Sequence, residues 1–173
     1  MAFDFQPVLR GDLVTLRPLL PSDYDALYAV AADPLIWEQH PDKTRHQPTG
    51  FSVFLQDALA SGGALIASDT STQQVIGSSR FHAYDQRLNE VEIGWTFLAR
   101  AYWGGRYNGE MKQLMLQHAF RFVRRVVFLI DSANIRSQQA VERIGAIRTG
   151  RRRDGAGRES LVYTINRGPR RSA

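Results

Sequence analysis

The sequence predicts an α/β domain built on a mixed sheet. Three observations carry this expectation. Stretches with period-two or wholly apolar patterning are interleaved with stretches of helical spacing. The polar breaks Thr70 to Gln74 and Asp85 to Glu90 are short enough for antiparallel hairpins. No linker, repeat or low-complexity stretch divides the 173 residues, so one domain over 1–173 is expected.

Leu13 to Arg17 alternates and reads as a strand closed by Pro18. Pro21-Ser22-Asp23 has the chemistry of a helix start, with Tyr24, Leu27, Tyr28 and Ala31 following at helical spacing. Asp33 to Pro48 is Pro-rich and polar, a loop with a short helix around Ile36. Phe51, Phe54, Leu55, Ala58 and Leu59 form an amphipathic helix that Gly62-Gly63 stops. Ala64 to Asp69, Val75 to Tyr84 and Val91 to Ala99 read as strands, and Asn108 to Val123 as a long helix. Val126 to Ile130 is apolar throughout, as in a strand buried on both faces. Asn134 caps a helix running to Ile144, which Gly145 ends. Strands at Ala146 to Arg152 and Ser160 to Ile165 flank the hairpin signal Asp154-Gly155-Ala156-Gly157. The expected order β-α-α-β-β-β-α-β-α-β-β contains about seven strands.

Composition narrows the function classes. With 43% hydrophobic and 23% charged residues, the chain is ordinary for a globular protein. No apolar run approaches the ~20 residues of a membrane span, and Met1 to Arg10 lacks the pattern of a secretory signal. A cytoplasmic protein without membrane attachment is expected. The absence of cysteine excludes disulfides, thiolate metal sites and a cysteine acyl-enzyme. The four histidines, His40, His46, His82 and His118, lack metal-ligand spacing, so no metal is assigned. His118 reads as packed or surface. The formal charge is +5, and arginines thicken at 148–158 and 167–171. They read either as a solvated hairpin with a flexible basic tail over 166–173, or as an attraction for an anion. The aromatics do not interleave with them as a base-stacking surface requires, which disfavours nucleic acid.

Two constellations carry the chemistry. In Glu92-Ile93-Gly94-Trp95-Thr96-Phe97, alternation places Val91, Ile93, Trp95 and Phe97 on one side and Glu92, Gly94 and Thr96 on the other. Gly94 marks either a bulge or a packing contact. Trp103-Gly104-Gly105-Arg106-Tyr107-Asn108-Gly109 then leads into a helix, whose free amides and partial positive charge suit a phosphate. Gly104 and Gly109 have Walker-loop spacing, but Glu110-Met111 stands where Lys and Ser/Thr are required. The G-x-G-x-x-G pattern is not matched either. In the second constellation, Val126 to Ile130 leads to Asn134, a helix cap, and to Ser137, whose hydroxyl can face a ligand at the helix end.

Together Glu92-Ile93-Gly94-Trp95, Tyr102-Trp103-Gly104, Tyr107, Glu110, Asn134, Ser137 and Gly145 resemble the GNAT N-acetyltransferase superfamily. The likeness is nearest to the branch of the ribosomal-protein N-terminal acetyltransferases. It spans roughly residues 10 to 166 and implies a mixed, mostly antiparallel sheet, splayed between the fourth and fifth strands, with acetyl-CoA in the gap. The pyrophosphate would rest on the Trp103 to Gly109 turn, the pantetheine arm on Phe97, Leu98 and Ala99, and the thioester near Asn134 and Ser137. Two residues depart from the pattern. Arg106 stands where the family has glycine, and Val141 replaces a tyrosine that protonates the departing thiolate. Ser137 or water would then serve.

Transfer to an amine needs the neutral nucleophile, yet an α-amine has a pKa of about 8 and a lysine of about 10.4. Glu92 is the candidate base, the alternative being a carboxylate paired with arginine. Direct attack in a ternary complex is expected. Arg80, His82, Trp95 and Trp37 are candidates for the acceptor site, Trp37 equally for a hydrophobic anchor. The acceptor remains open between a small amine and a protein N-terminus, and homodimerisation is left open. Two alternatives stand beside the enzyme: a weakly catalytic acyl-CoA-binding module, and a nucleic-acid-associated protein using the arginine-rich end.

Overall fold

The third strand shows how the layers are set. The structure, a computed structural model, describes residues 2–153 and 157–168. In β3 (Ala64–Asp69), Ala64 and Ile66 bury on one face while Leu65 and Ala67 bury on the other. Period-two alternation thus produces a sheet covered on both sides. Tyr24–Ala31 (α1) and Pro48–Ala60 (α2) cover the first face through Leu27, Phe51, Phe54 and Ala58. Arg106–Ala119 (α3) covers the second with Met111, Met115 and Ala119, and Ile135–Arg143 (α4) adds Val141.

The remaining strands are β1 (Leu9–Arg10), β2 (Val14–Pro18), β4 (Val75–Asp85), β5 (Glu90–Leu98), β6 (Arg125–Asp131), β7 (Ile147–Arg153) and β8 (Glu159–Asn166). They form one eight-stranded sheet in the order β1-β2-β3-β4-β5-β6-β8-β7. The mixed, mostly antiparallel sheet matches the expectation, with the two-residue β1 added to it. Every neighbouring pair is antiparallel except β5 with β6.

Several local readings need correction. Asp23 stands at the N-cap of α1, but its side chain makes no capping bond to that helix; it pairs with Arg17 at 2.7 Å and accepts the Leu20 amide in a preceding 3-10 turn. The long helix begins at Arg106, not Asn108, and ends at Ala119. Arg167 is not part of a loose tail, because its amide donates to Arg124 and its guanidinium to the Phe120 carbonyl. Residues 169–173 and most of the hairpin tip, 154–156, lie outside the described residues, although Arg153 pairs with Glu159 across the hairpin. His118 is packed, 4% exposed, with Nε2 2.7 Å from the Asp4 carbonyl.

Candidate active site

β5 and β6 pair over three residues only, Glu90 to Glu92 against Arg125 to Val127. Beyond that point β6 continues against β8, while β5 keeps only its β4 partner. The cause lies in β5. Its register against β4 runs from Arg80↔Gly94 to Ser78↔Phe97, so one extra residue is inserted, and Trp95 takes the left-handed conformation at φ 51°. Such a bulge bends a strand and breaks its alternation. It therefore corrects the expected facing: Trp95 and Phe97 join the α1/α2 side, while Ile93 and Leu98 belong to the α3 side.

The splay opens into a cleft of about 350 Å³, walled by β5, α3, α4 and the segment around Trp37. At one end stands the start of α3. Gly104 and Gly105 hold φ of +106° and +107°, a region natural to glycine, and Gly105 ends the turn as the helix N-cap. Among the described residues, the amides of Gly104, Gly105, Arg106, Tyr107 and Asn108 donate to no acceptor; that of Gly109 already bonds Gly105 at 2.7 Å. Arg106 lies in the first helical turn without positive φ, so the backbone conformation there does not call for glycine. Tyr107 turns its hydroxyl away to Asp69 at 2.9 Å.

The opposite wall is the start of α4. Asn134 accepts the Ser137 amide at 3.1 Å, as a cap should, and the Ser137 hydroxyl faces the cleft without a partner among the described residues. The guanidinium of Arg136 lies 4.2 Å from the centre of the Trp103 ring and donates to the Ile36 carbonyl, linking the walls. The Trp103 indole donates to Leu98 O at 2.9 Å. Ala99 has less to offer than Phe97 and Leu98, because its amide bonds Ile76 and its carbonyl accepts from Tyr102.

A second cluster gathers on the α2 side of the bulge. Arg80, 2% exposed, donates to Asp57 at 2.8 Å, lies 4.4 Å from the centre of the Trp95 ring, and has Nε and Nη2 without a partner among the described residues. His82 meets Trp95 edge-on at 5.0 Å and pairs with Glu92 across the strands. Glu92 accepts no side-chain hydrogen bond from a described residue, and burial pushes its carboxyl up to about 7 against the weaker pull of Arg152 and Arg80. These residues do not line the cleft beside the Gly104-Gly105 turn; Trp37 and Phe97, 4.9 Å apart, both line it. Trp37 is also an anchor, 3% exposed with its indole donating to Ala31.

The sequence from 14 to 147 matches the family described as the acetyltransferase (GNAT) domain. The chain belongs to the GNAT acetyltransferases. A GNAT-family protein of Chromobacterium violaceum shares the fold at TM-score 0.81 and 24% identity, over 95% of this chain and 88% of that one. A T. thermophilus protein described as an acetyltransferase superposes at 0.74 with 28% identity, over 95% and 92%. RimJ of Mycobacterium smegmatis, solved in complex with CoA-disulfide, shares the fold at 0.70 and 19% identity, over 93% and 86%. No curated protein matches the sequence.

Within this GNAT chain, the titratable or charged cleft residues His40, Lys112, Arg136 and Arg143 escaped the sequence reading as site residues. Arg136 carried a signal, since it stands between Asn134 and Ser137. Lys112 carried another, as one of two lysines and placed on the apolar face of its helix. Glu110 is now explained structurally: it accepts the amides of Asp12, Leu13 and Val14 and ties α3 to β2.

Proposed function

We propose that this GNAT protein moves the acetyl group of acetyl-CoA directly to a primary amine within a ternary complex. One observation carries the reading: the β5–β6 splay opens onto five unpartnered amides at the start of a helix. Those amides and the helix dipole suit the pyrophosphate. The stretch of β5 at Phe97 and Leu98, which β6 does not pair and where the Leu98 carbonyl is held by the Trp103 indole, suits the pantetheine arm, and Asn134 and Ser137 the acyl end. Glu92 receives the amine proton, directly or through water, and Arg80, His82 and Trp95 line the acceptor side. Without cysteine, the amine attacks the thioester itself. The acceptor is a small amine or a protein N-terminus. Among the described residues, no helix is long and apolar enough to cross a membrane, and we assign the activity to the cytoplasm.

The arginine-rich end gives less support to a nucleic-acid partner, because Arg152 pairs with Glu90 and Arg151 with Glu159. A weakly catalytic module loses part of its motive too, since Arg106 strains no backbone. Calorimetric titration with acetyl-CoA and longer acyl-CoAs is the primary test, followed by a panel of peptide and small-amine acceptors. Micromolar acetyl-CoA binding with acetylated product is expected; no binding would overturn the reading.

A further inference from the structure

Lys112 stands in the cleft without a part in the reaction just described. It projects from the buried face of α3 and is 3% exposed. Its Nζ donates to Ser79 Oγ of β4 at 3.2 Å and to Thr96 Oγ1 of β5, with the Phe128 ring of β6 at 5.9 Å. Both acceptors are neutral hydroxyls, and no carboxylate of a described residue reaches ion-pair distance. A buried ammonium without a counter-ion is costly, which favours surrender of its proton. Lys112 also lines the cleft, together with Thr96, Leu98, Gly109 and Val141.

Acetyl transfer forms a C–N bond and breaks a C–S bond. The C–S electron pair leaves on sulfur, and the thiolate must take up a proton while the amine loses one. The other titratable or charged groups around the cleft are His40, Arg136 and Arg143, none of them negative. Burial and the charge of Arg45 push His40 down to about 4, so its ring is neutral near pH 7 and offers no imidazolium proton. The guanidinium groups do not release theirs. The hydroxyls of Ser137 and Thr96 can pass a proton on only if resupplied.

We propose that Lys112 donates the proton to the departing CoA thiolate, directly or through the Thr96 hydroxyl. The assignment rests on the acetyl-CoA reading above. It makes the lysine the acid of this cleft and Glu92, on the other side of the bulge, the base. Burial pulls Lys112 down to about 7, so its ammonium is more acidic than an ordinary lysine. An alkyl thiol has a pKa of roughly 8.5, so the transfer runs downhill.

The test compares Lys112→Met with the wild type on two donors. With acetyl-CoA, kcat should fall by ~10²-fold or more, the usual share of a general acid. Acetyl-CoA affinity, read by calorimetry, should stay within a few-fold. With an acetyl thioester of an acidic aryl thiol, which leaves without protonation, the deficit should nearly vanish. An equal deficit on both donors would make Lys112 a packing residue and overturn the proposal, as would an undiminished kcat with acetyl-CoA. Should Lys112→Met fail to fold, Lys112→Arg serves, since a guanidinium can hold both hydroxyls but cannot give up a proton; retained kcat in that variant overturns the proposal. Wild-type protein that does not bind acetyl-CoA overturns the acetyltransferase reading and this one together. Intact binding and transfer with an unaffected variant overturns this one alone.

Discussion

A carboxylate half-buried beside two arginines can be pulled either way, and at Glu92 burial outweighs Arg152 and Arg80. Neither arginine hydrogen-bonds it; Arg152 is spent on Glu90 and Arg80 on Asp57. With its pKa at about 7, Glu92 suits a base working near neutrality, and kcat/KM should fall as pH drops through about 7. The same shift fixes a stability signature. The folded chain holds this proton more tightly than the unfolded one, whose ordinary value is 4.5. Its contribution is therefore full below 4.5, declines as pH rises to about 7, and stays lost above. Glu92→Gln should leave the melting temperature nearly unchanged at pH 4.5 and raise it at pH 8, while turnover falls by ~10²-fold at unchanged acetyl-CoA affinity. Unchanged turnover across the pH range would remove Glu92 as base. A melting difference independent of pH would contradict the burial account.

At the scale of elements, the first turn of α3 divides its work between two kinds of residue. Gly104 and Gly105 supply left-handed backbone, whereas Arg106 supplies charge on ordinary helical backbone. Gly105→Ala should cost roughly 1–3 kcal/mol of stability, because an L side chain is strained at that φ. Arg106→Gly should leave the structure in place and weaken acetyl-CoA binding a few-fold through lost charge. A gain in affinity from Arg106→Gly would show that close backbone approach, not charge, limits the site. The same turn shows what the sequence disclosed. Its glycines and the following periodicity were legible, but the helix start was placed two residues late because Arg106 and Tyr107 follow Gly104-Gly105 directly and read as part of the glycine-rich turn. The β3–β4 and β4–β5 hairpins, the Asn134 cap and the β5 glycine were likewise legible from local chemistry. The bulge's effect on facing was not, since alternation is read on an unbroken strand. Nor was Lys112, whose partners Ser79 and Thr96 lie 33 and 16 residues away in the chain.

For the whole molecule, the consequence of the splay is that β5 and β6 are held together at one end only. On the α3 side the core runs continuously from Val14 and Leu65 to Phe128 and Tyr163, so the sheet itself does not come apart. The cleft is bridged instead by side chains, chiefly Arg136 against Trp103 and the Ile36 carbonyl. A ligand seated there touches both walls and stabilises only the folded form. At a hundred times its dissociation constant it adds about 2.7 kcal/mol. For a chain of this size that is a rise of roughly 5–10 °C in melting temperature. Acetyl-CoA should therefore raise the melting temperature in a concentration-dependent way. Hydrogen exchange should slow at residues 94–98, at the first turn of α3 and at the first turn of α4, with little change in β1 to β3. Arg136→Ala, which removes the bridge, should increase exchange at those segments in the free protein and narrow the difference on binding only in part, because the amides at 104–108 remain. Protection confined to β7 and β8, or spread evenly over the sheet, would place the ligand elsewhere and remove the splay as its site.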